Sequence, residues 1–211
     1  MFANIVTSGI VAEGELIALG WPEPNEFDQI TSLRNTTAVR RWFLDDRSLD
    51  PVRNREWLAS GMRRPFEGLL SIRWRADDTF FGTIGWSDWN PTTRVAWLGR
   101  LAIDIEALRR NRSSFPRDYK GVVSDAGDTL ADYVFGVMQV DIVMTYVFAQ
   151  NKLARQVNRN CGLKETGRGW RTRPDGSDVE TIEMKATRAE WEEFRRHQRE
   201  RAQGANLLPA R

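Results

Sequence analysis

The sequence predicts one mixed α/β domain, with a mostly antiparallel sheet flanked by helices. Residues 68–105 hold three successive strand patterns joined by short turns, which is typical of an antiparallel meander. A helical pattern and a β-branched strand follow, which indicates a strand–helix–strand unit. The 211 residues are 41% hydrophobic and include nine Trp, so the chain can bury the core of a single domain.

Strands and helices alternate in the first sixty residues. Residues 1–13 are an ill-defined lead-in, and residues 15–20 are predicted as a strand that Pro22 and Pro24 stop. Residues 26–34 are predicted as a short helix, whereas residues 37–43 are mixed and favour no type. Asp50 and Pro51 supply an N-cap and an N1 proline for a helix that runs to about Ser60.

The meander comprises predicted strands over residues 68–75, 79–86 and 94–105. Leu70, Ile72 and Trp74 alternate with polar residues, so one face of the first strand is apolar. Asn90 and Pro91 mark the second turn. A polar, basic stretch over residues 109–120 separates this meander from the next helix.

The second half of the chain carries clear end signals. A helix is predicted over residues 121–137 and a buried strand over 141–148. Asn151 and Gly162 stand at the N-cap and C′ positions of a short helix. A hairpin (163–171 and 178–186) and a last helix with a Thr187–Glu190 capping box follow. We expect the domain to span residues 14–195 and residues 196–211 to form a flexible tail.

Composition argues against several classes of protein. The 31 basic residues nearly balance 29 acidic ones, which argues against bulk nucleic-acid binding. Cys161 is the only cysteine, so no intrachain disulfide is predicted and a cytoplasmic location is expected. No membrane span and no secretory signal are evident. The single histidine, His197, argues against a serine or cysteine triad and against a histidine-rich metal site, and no metal is predicted.

The start of the helix predicted at Gly121 is a candidate anion site. Helix N-termini present free N–H groups and a partial positive charge to phosphate. Gly121 lets backbone approach a ligand, Lys120 adds charge and Ser124 can donate a hydrogen bond. The same residues also fit a plain loop-to-helix junction, and this stretch alone leaves both interpretations open.

Several motifs resemble the GNAT family of N-acyltransferases. The strand before Asn151, then Ala154 and Gly162, are similar to the second half of its acetyl-CoA site. Residues 96–104 resemble its fourth strand, and residues 130–135 resemble the "yaF" helix of the RimJ/RimL-like and amino-sugar acetyltransferase branch. The resemblance covers roughly residues 14–195.

The resemblance implies a splayed central sheet that binds acetyl-CoA or another acyl-CoA, with no metal. At the pyrophosphate loop the chain departs from the family motif, because Asp118 and Val123 replace a basic or amide residue and a glycine. Arg117 lies one residue off the motif's register. The implied cofactor-binding residues are Leu101, Ala102, Ile103, Arg117, Lys120, Gly121, Val123, Ser124, Asn151, Ala154 and Arg155.

The implied acceptor is a primary amine of a small molecule, such as an amino sugar or an antibiotic-type amine, or a peptide N-terminus. Segments similar to those lining the family's acceptor pocket, together with nearby Trp residues, make up the candidate substrate-binding set: Arg34, Asn35, Arg40, Trp86 and Trp97. Each also has an ordinary role, as a solvated arginine or as core packing. A monomer or a homodimer is expected.

The usual catalytic groups of the family are absent from their positions. Trp97 stands where members often carry Glu, Asn158 where they carry Tyr, and Ala154 where RimJ/RimL-like relatives carry Ser. The remaining candidates are Asp88, for which a turn residue before Asn90 is the alternative role, and Asp104, for which a strand-end residue bonding backbone is the alternative role. Two hypotheses follow: an N-acyltransferase in which the amine attacks the thioester directly, or a catalytically weak protein of this fold that binds CoA or a protein or RNA partner.

Overall fold

A computed structural model describes residues 9–60, 65–110 and 119–205, and it contains one eight-stranded sheet. The strand order is β1-β2-β3-β4-β5-β6-β8-β7, and all neighbours are antiparallel except β5 and β6. The strands are β1 (Ile10–Glu13), β2 (Ile17–Gly20), β3 (Gly68–Trp74), β4 (Phe80–Asn90), β5 (Val95–Ile103), β6 (Ile142–Phe148), β7 (Lys164–Thr172) and β8 (Asp178–Thr187). This mixed, mostly antiparallel sheet confirms the predicted fold class.

Helices cover the sheet on both sides of the parallel pair. They are α1 (Phe27–Asn35), α2 (Thr37–Arg40), α3 (Pro51–Ser60), α4 (Ile105–Arg110), α5 (Tyr119–Gly136), α6 (Lys152–Asn160) and α7 (Arg188–Ala205), with a short 3-10 helix at Pro24–Glu26 before α1. The predicted antiparallel meander is β3-β4-β5, and the predicted strand–helix–strand unit is β5-α5-β6.

Three segments differ from the predictions. The lead-in contributes β1, which is only four residues long and extends the sheet through its backbone pairing with β2. Residues 105–110, at the junction of the third meander strand and the polar stretch, form the unpredicted helix α4, because Asp104 Oδ1 accepts a bond of 2.8 Å from Ala107 N and so caps a helix. The boundary predicted at residue 196 falls inside α7, which stays helical to Ala205.

Helix α5 supplies much of the core. Val122, Ala126, Leu130 and Val134 are each no more than 1% exposed, and they recur at helical spacing on one face. On another face, Asp125 accepts bonds from the backbone N–H groups of three residues at the start of β2, at 2.7 to 3.2 Å. The crossover helix is therefore fixed to the sheet by both apolar packing and a carboxylate.

A buried ion pair fixes the entry to α1. Arg73 and Glu26 are 2% and 4% exposed, and the guanidinium donates two bonds, of 2.6 and 2.7 Å, to the carboxylate. Ser71 Oγ donates a third bond of 2.7 Å to Glu26 Oε2. Because both charges are out of water, the pair stabilises the fold only while it stays complete.

Helix α7 is anchored at three points along the back of α5. Arg188 donates bonds of 2.6 and 2.7 Å to the carbonyls of Phe135 and Val140. Trp191 stacks on Phe135, with ring centroids 4.8 Å apart. Further along, Arg195 contacts the carboxylates of Asp128 and Asp132, at 3.4 and 2.9 Å.

No helix in the described ranges is long and apolar enough to cross a membrane.

Candidate active site

The two parallel strands separate after three residue pairs. Val95, Ala96 and Trp97 of β5 pair with Ile142, Val143 and Met144 of β6, and the ladder goes no further. On its other side, β6 stays paired with β8 to Phe148. The remainder of β5, residues 98–103, therefore faces a cleft between the strands with its backbone hydrogen-bonding edge directed into it.

A bulge in β5 accompanies this separation. The register with β4 passes from Gly85↔Gly99 to Thr83↔Ala102, so β5 holds one extra residue, and Arg100 has a φ of 56°. Thr83 Oγ1 donates a bond of 3.1 Å to the Arg100 carbonyl, which holds the bulge in place. A bulge bends its strand and increases the local twist, so it is the physical reason that β5 leaves β6 at this point.

The two helices that follow the parallel strands, α5 and α6, turn their N-termini to the same end of the sheet. Helix α5 begins at Tyr119, so Gly121 lies in its first turn, at the positive end of the helix dipole. The predicted residues Leu101, Ala102 and Ile103 are the last three of β5. Val123 is buried, and Ser124 is half-buried. The Arg117 prediction and the Lys120 side chain lie outside the described residues.

The α6 start has the predicted cap. Asn151 Oδ1 accepts a bond of 3.0 Å from Ala154 N, and Gly162 has a φ of 85° at the C′ position. Arg155, predicted to contact cofactor, donates two bonds of 3.0 Å to Glu165 on β7 and one of 3.3 Å to the Ala149 carbonyl. These bonds hold the Arg155 guanidinium against the hairpin.

An aromatic surface lies beside the point of separation. Trp97 and Tyr146 are in edge contact, with ring centroids 6.2 Å apart. The guanidinium carbon of Arg171 lies 3.9 Å from the Tyr146 centroid and 6.0 Å from that of Trp97. Trp97 pairs with Met144 in the last parallel pair, and Tyr146 follows Met144 by two residues. The side chains of Trp97, Met144 and Tyr146 therefore share one face of the sheet.

The segment of residues 41–49, after α2, covers the end of this surface. Arg173 Nη1 lies 2.9 Å from Asp46 Oδ2, and Nη2 donates a bond of 3.0 Å to the Arg41 carbonyl. The same guanidinium lies 5.2 Å from the ring of Phe148, which also contacts Trp42 at 6.4 Å. Hairpin β7-β8 thus holds the 41–49 segment in place over β6.

Three of the predicted acceptor residues shape that segment from inside. Asn35 exchanges bonds of 2.7 and 3.0 Å with the backbone of Leu49. Arg34 lies over the Phe43 ring and donates a 2.6 Å bond to the Asp45 carbonyl, and burial lowers its pKa. Arg40 donates a bond of 2.8 Å to Ser48 Oγ. The structure therefore places these side chains in contact with the segment's own backbone and hydroxyl groups.

The remaining candidates are dispersed along β4 and β5. Trp86 is 5% exposed and contacts Trp21 and Tyr133 in the core. Asp88 is exposed, has a φ of 49° and directly follows Ser87, the partner of Trp97. Asp104 follows the far end of β5, roughly 20 Å from Trp97 at about 3.3 Å per residue. The two carboxylates are not brought together.

The structure adds residues that sequence reasoning did not select: Tyr146, Arg171, Arg173 and Glu183. Glu183 is the β8 partner of Tyr146 and shares its face, and Oε1 accepts a 3.3 Å bond from Thr166. Alternation within the predicted strands was the only available signal, since it places residues 144, 146 and 148 on one face. In the described part of the chain, no group of three or more His, Cys, Asp or Glu residues could hold a metal ion.

Comparisons of sequence gave no relative, since no family model and no curated protein matches the chain. Solved structures are similar. Spermidine N-acetyltransferase from Vibrio cholerae, in complex with CoA and spermine, has a TM-score of 0.71 at 15% identity, over 83% of this chain and 97% of that one. A GNAT-family acetyltransferase from Bacillus anthracis has a TM-score of 0.68 at 11% identity, over 84% and 98%.

A third structure, described as a putative ribosomal-protein-serine acetyltransferase from Vibrio cholerae, has a TM-score of 0.64 at 13% identity. It covers 86% of this chain and 99% of its own. At these identities the likeness establishes the fold: the chain has the GNAT fold, as the sequence resemblance predicted.

Proposed function

We propose that this chain is an acyl-CoA-dependent N-acyltransferase that moves an acetyl group, or a related acyl group, to a primary amine. The observation that carries the proposal is the cleft between β5 and β6, which the Arg100 bulge opens and the N-termini of α5 and α6 adjoin. A cleft with an unpaired strand edge on one side fits an extended chain that contains amide groups, such as pantetheine.

The residues suited to hold the donor supply mainly backbone groups. Residues 98–103 of β5 offer N–H and C=O groups along the cleft, and the N-terminus of α5 offers the positive end of its dipole to a pyrophosphate. The Asn151 amide can still donate through Nδ2, because only its Oδ1 is used in the cap. Val123 is buried and is the fifth residue of α5, so its side chain faces the core and its amide N–H belongs to the helix ladder; a phosphate at this helix would lie nearer the residues that precede it.

The acceptor amine would enter from the face that carries Trp97 and Tyr146, beneath the 41–49 segment. The amine nitrogen forms a bond to the acyl carbon, the thioester C–S bond breaks, and CoA leaves as a thiolate. The amine proton is removed by a carboxylate through water, and the thiolate takes up a proton from solvent, so the net products are the amide and the CoA thiol. The protein's contribution is to hold the amine and the acyl carbon in reach, with a β5 N–H polarising the thioester oxygen. Glu183 is the carboxylate on this face suited to accept the proton, through water.

A second candidate is a protein of this fold that binds CoA or a partner without efficient catalysis. One observation favours it: Asn158 stands at the family's Tyr position, and its Nδ2 donates a bond of 3.0 Å to the Ala154 carbonyl. That side chain is therefore engaged within α6. No acid group replaces it on the same helix turn.

Two measurements on the whole protein separate these candidates. Calorimetric titration with acetyl-CoA tests donor binding, and release of free thiol in the presence of a panel of amines tests transfer. Saturable binding together with amine-dependent thiol release is the expected outcome. Binding without thiol release from any amine would favour the second candidate, and the lack of any binding would exclude both donor-binding proposals.

A further inference from the structure

Arg171 is a cation on the acceptor face that has no anionic partner among the described residues. Arg171 is half-buried, and its guanidinium rests 3.9 Å from the Tyr146 ring, yet in the described ranges it makes no ion pair and no hydrogen bond. Arg168, three residues earlier, pairs with Glu180 at 3.0 Å, and Arg173, two residues later, pairs with Asp46 at 2.9 Å. The unpaired arginine of this hairpin is therefore the one beside the cleft.

The stacking leaves the hydrogen-bonding edge of Arg171 available. A guanidinium that lies flat on an aromatic ring directs its N–H groups outward in the ring plane. Two of its five N–H donors can bind two oxygens of a carboxylate or a phosphate at once, in a bidentate geometry that a lysine would not reproduce. Tyr146 and Trp97 thus hold the Arg171 guanidinium in place, and none of the described residues supplies an anion for it.

The charges nearby favour an anion over a polycation. Arg41 lies over the Trp42 ring at 4.9 Å, and Asp46 is already paired with Arg173. Glu183, the β8 partner of Tyr146, lies opposite Gly167 on β7, four residues along the strand from Arg171. A polyamine would meet two guanidinium groups there, whereas a molecule with one amine and one oxyanion would find opposite charge at both ends.

We infer that the acceptor of the transfer is a small amine that also carries an oxyanion, a carboxylate or a phosphate, and that Arg171 binds that oxyanion. The inference rests on the proposed function and assigns its substrate class. The acceptor amine then lies between Arg171 and the end of the parallel ladder at Trp97. Arg171 acts on specificity and takes no part in the acyl transfer itself.

The test compares four amines as acceptors with acetyl-CoA as donor: propylamine, spermidine, 3-aminopropanoate and 2-aminoethyl phosphate. We expect one of the two anionic probes to give a kcat/KM at least roughly tenfold above propylamine and spermidine, as a charge-assisted hydrogen bond predicts. Whichever anionic probe is favoured identifies a carboxylate or a phosphate. An equal or higher value for spermidine or propylamine overturns the inference.

Substitutions of Arg171 test whether this residue causes the preference for an anionic acceptor. Arg171→Gln should lower kcat/KM for the favoured anionic probe by roughly 10- to 100-fold, and should lower it for propylamine by a much smaller factor, so the ratio between the two acceptors collapses. Arg171→Glu should reverse the preference towards spermidine. Arg168→Gln is the matched control, because it removes an arginine from the opposite face of the same strand. It should not change the order of kcat/KM among the four acceptors.

The result also separates failure of the inference from failure of the proposed function. If acetyl-CoA binds and neither anionic probe is preferred, or if Arg171→Gln alters all four acceptors equally, the inference is wrong and the transferase proposal stands. If acetyl-CoA does not bind, the transferase proposal falls. Fluorescence titration of both anionic probes against wild type and Arg171→Gln then decides for or against an oxyanion site at Arg171.

Discussion

The donor side and the acceptor side of the candidate active site are built differently. The donor side consists of a strand edge, a bulge and two helix N-termini, so its groups belong mainly to the backbone. The acceptor side consists of side chains from three separate parts of the chain, joined by Arg173–Asp46 and by contacts on Phe148. One fold can therefore keep its donor site while the acceptor residues change around it.

The largest expected effect is a loss of stability at the buried ion pair that precedes α1, on the acceptor side. Glu26→Ala removes the carboxylate that lies 2.6 Å from buried Arg73 and, among the described residues, leaves only the half-exposed Glu23 carboxylate, 3.8 Å away. Removing one partner of a buried ion pair costs about 3–5 kcal/mol. Because α1 begins directly after Glu26, the residues that α1 presents to the 41–49 segment should lose their position. Thermal or urea unfolding measures the loss.

Glu13→Ala is the matched control for that change. It removes a partner of Arg75 at 3.6 Å, where the two side chains are 52% and 45% exposed. An exposed pair contributes about 0–1 kcal/mol. Equal losses for Glu26→Ala and Glu13→Ala would show that the buried pair carries no special share of the stability.

The second prediction sharpens the contrast between the two sides. Arg173→Gln removes the ion pair with Asp46 and the bond to the Arg41 carbonyl, which together contribute about 2 kcal/mol to holding the 41–49 segment. The KM for the acceptor amine should rise by roughly tenfold or more, while the dissociation constant for acetyl-CoA stays the same. Steady-state kinetics and calorimetry measure the two quantities.

Arg168→Gln again serves as the control, since Arg168 and its partner Glu180 lie on the opposite face of the hairpin and the Arg168 side chain is 68% exposed. A parallel rise in the acetyl-CoA dissociation constant for Arg173→Gln would mean that the two sides are not separable.

The difference between local backbone features and long-range side-chain contacts also explains which parts of the site the sequence could predict. The α6 cap joins residues three apart, and the capping box of Thr187 and Glu190 is equally local, so both were predicted and both are present. The clamp of Arg173 on Asp46 joins residues 127 apart. No local pattern marks such a pair, because a surface arginine and a loop aspartate are common in any sequence.

Elements with weak local signals were missed for a related reason. Strand β1 has four residues and depends on pairing with β2, and α4 has six residues and depends on the Asp104 cap. In contrast, the long buried strands and α5 show a regular spacing of apolar residues that predicts them without tertiary contacts. The acceptor face falls between these cases: its strands were predicted, but which side chains meet on it follows only from the order β5-β6-β8-β7.

The third prediction concerns the back of the donor side, where α5 meets α7. Burial raises the pKa of Asp128 to about 6, against the attraction of Arg195. The folded state thus binds the proton more tightly than the unfolded state, so this carboxyl lowers stability as pH rises from about 4 to about 6. Asp128→Asn should raise the free energy of unfolding by about 1–2 kcal/mol at pH 7 and by little at pH 4.

Urea unfolding at the two pH values measures this difference. Asp132 keeps its 2.9 Å contact with Arg195 in the variant, so the guanidinium is not left alone. A loss of stability at pH 7 would mean that the Asp128–Arg195 attraction exceeds the cost of burying the carboxylate. Acetyl-CoA binding should not change, because Asp128 faces α7 and not the cleft.

The last prediction combines the smallest expected change in stability with a specific effect on acetyl-CoA binding. Asn151→Ala removes the N-cap of α6 at a cost of about 1 kcal/mol, and it also removes the amide that we place beside the acyl donor. The fold should persist, because the Arg155 and Arg159 pairs with Glu165 still hold α6 to β7. Acetyl-CoA should then bind several-fold more weakly, with the relative preference among acceptor amines unchanged.

Gln156→Ala, on the exposed side of the same helix, is the control for helix stability alone. If both variants bind acetyl-CoA as tightly as wild type, the donor does not contact the start of α6. If Asn151→Ala changes the preference among amines, the start of α6 contributes to acceptor choice. The division into a donor side made of backbone and an acceptor side made of side chains would then have to be redrawn at α6, since one residue would serve both.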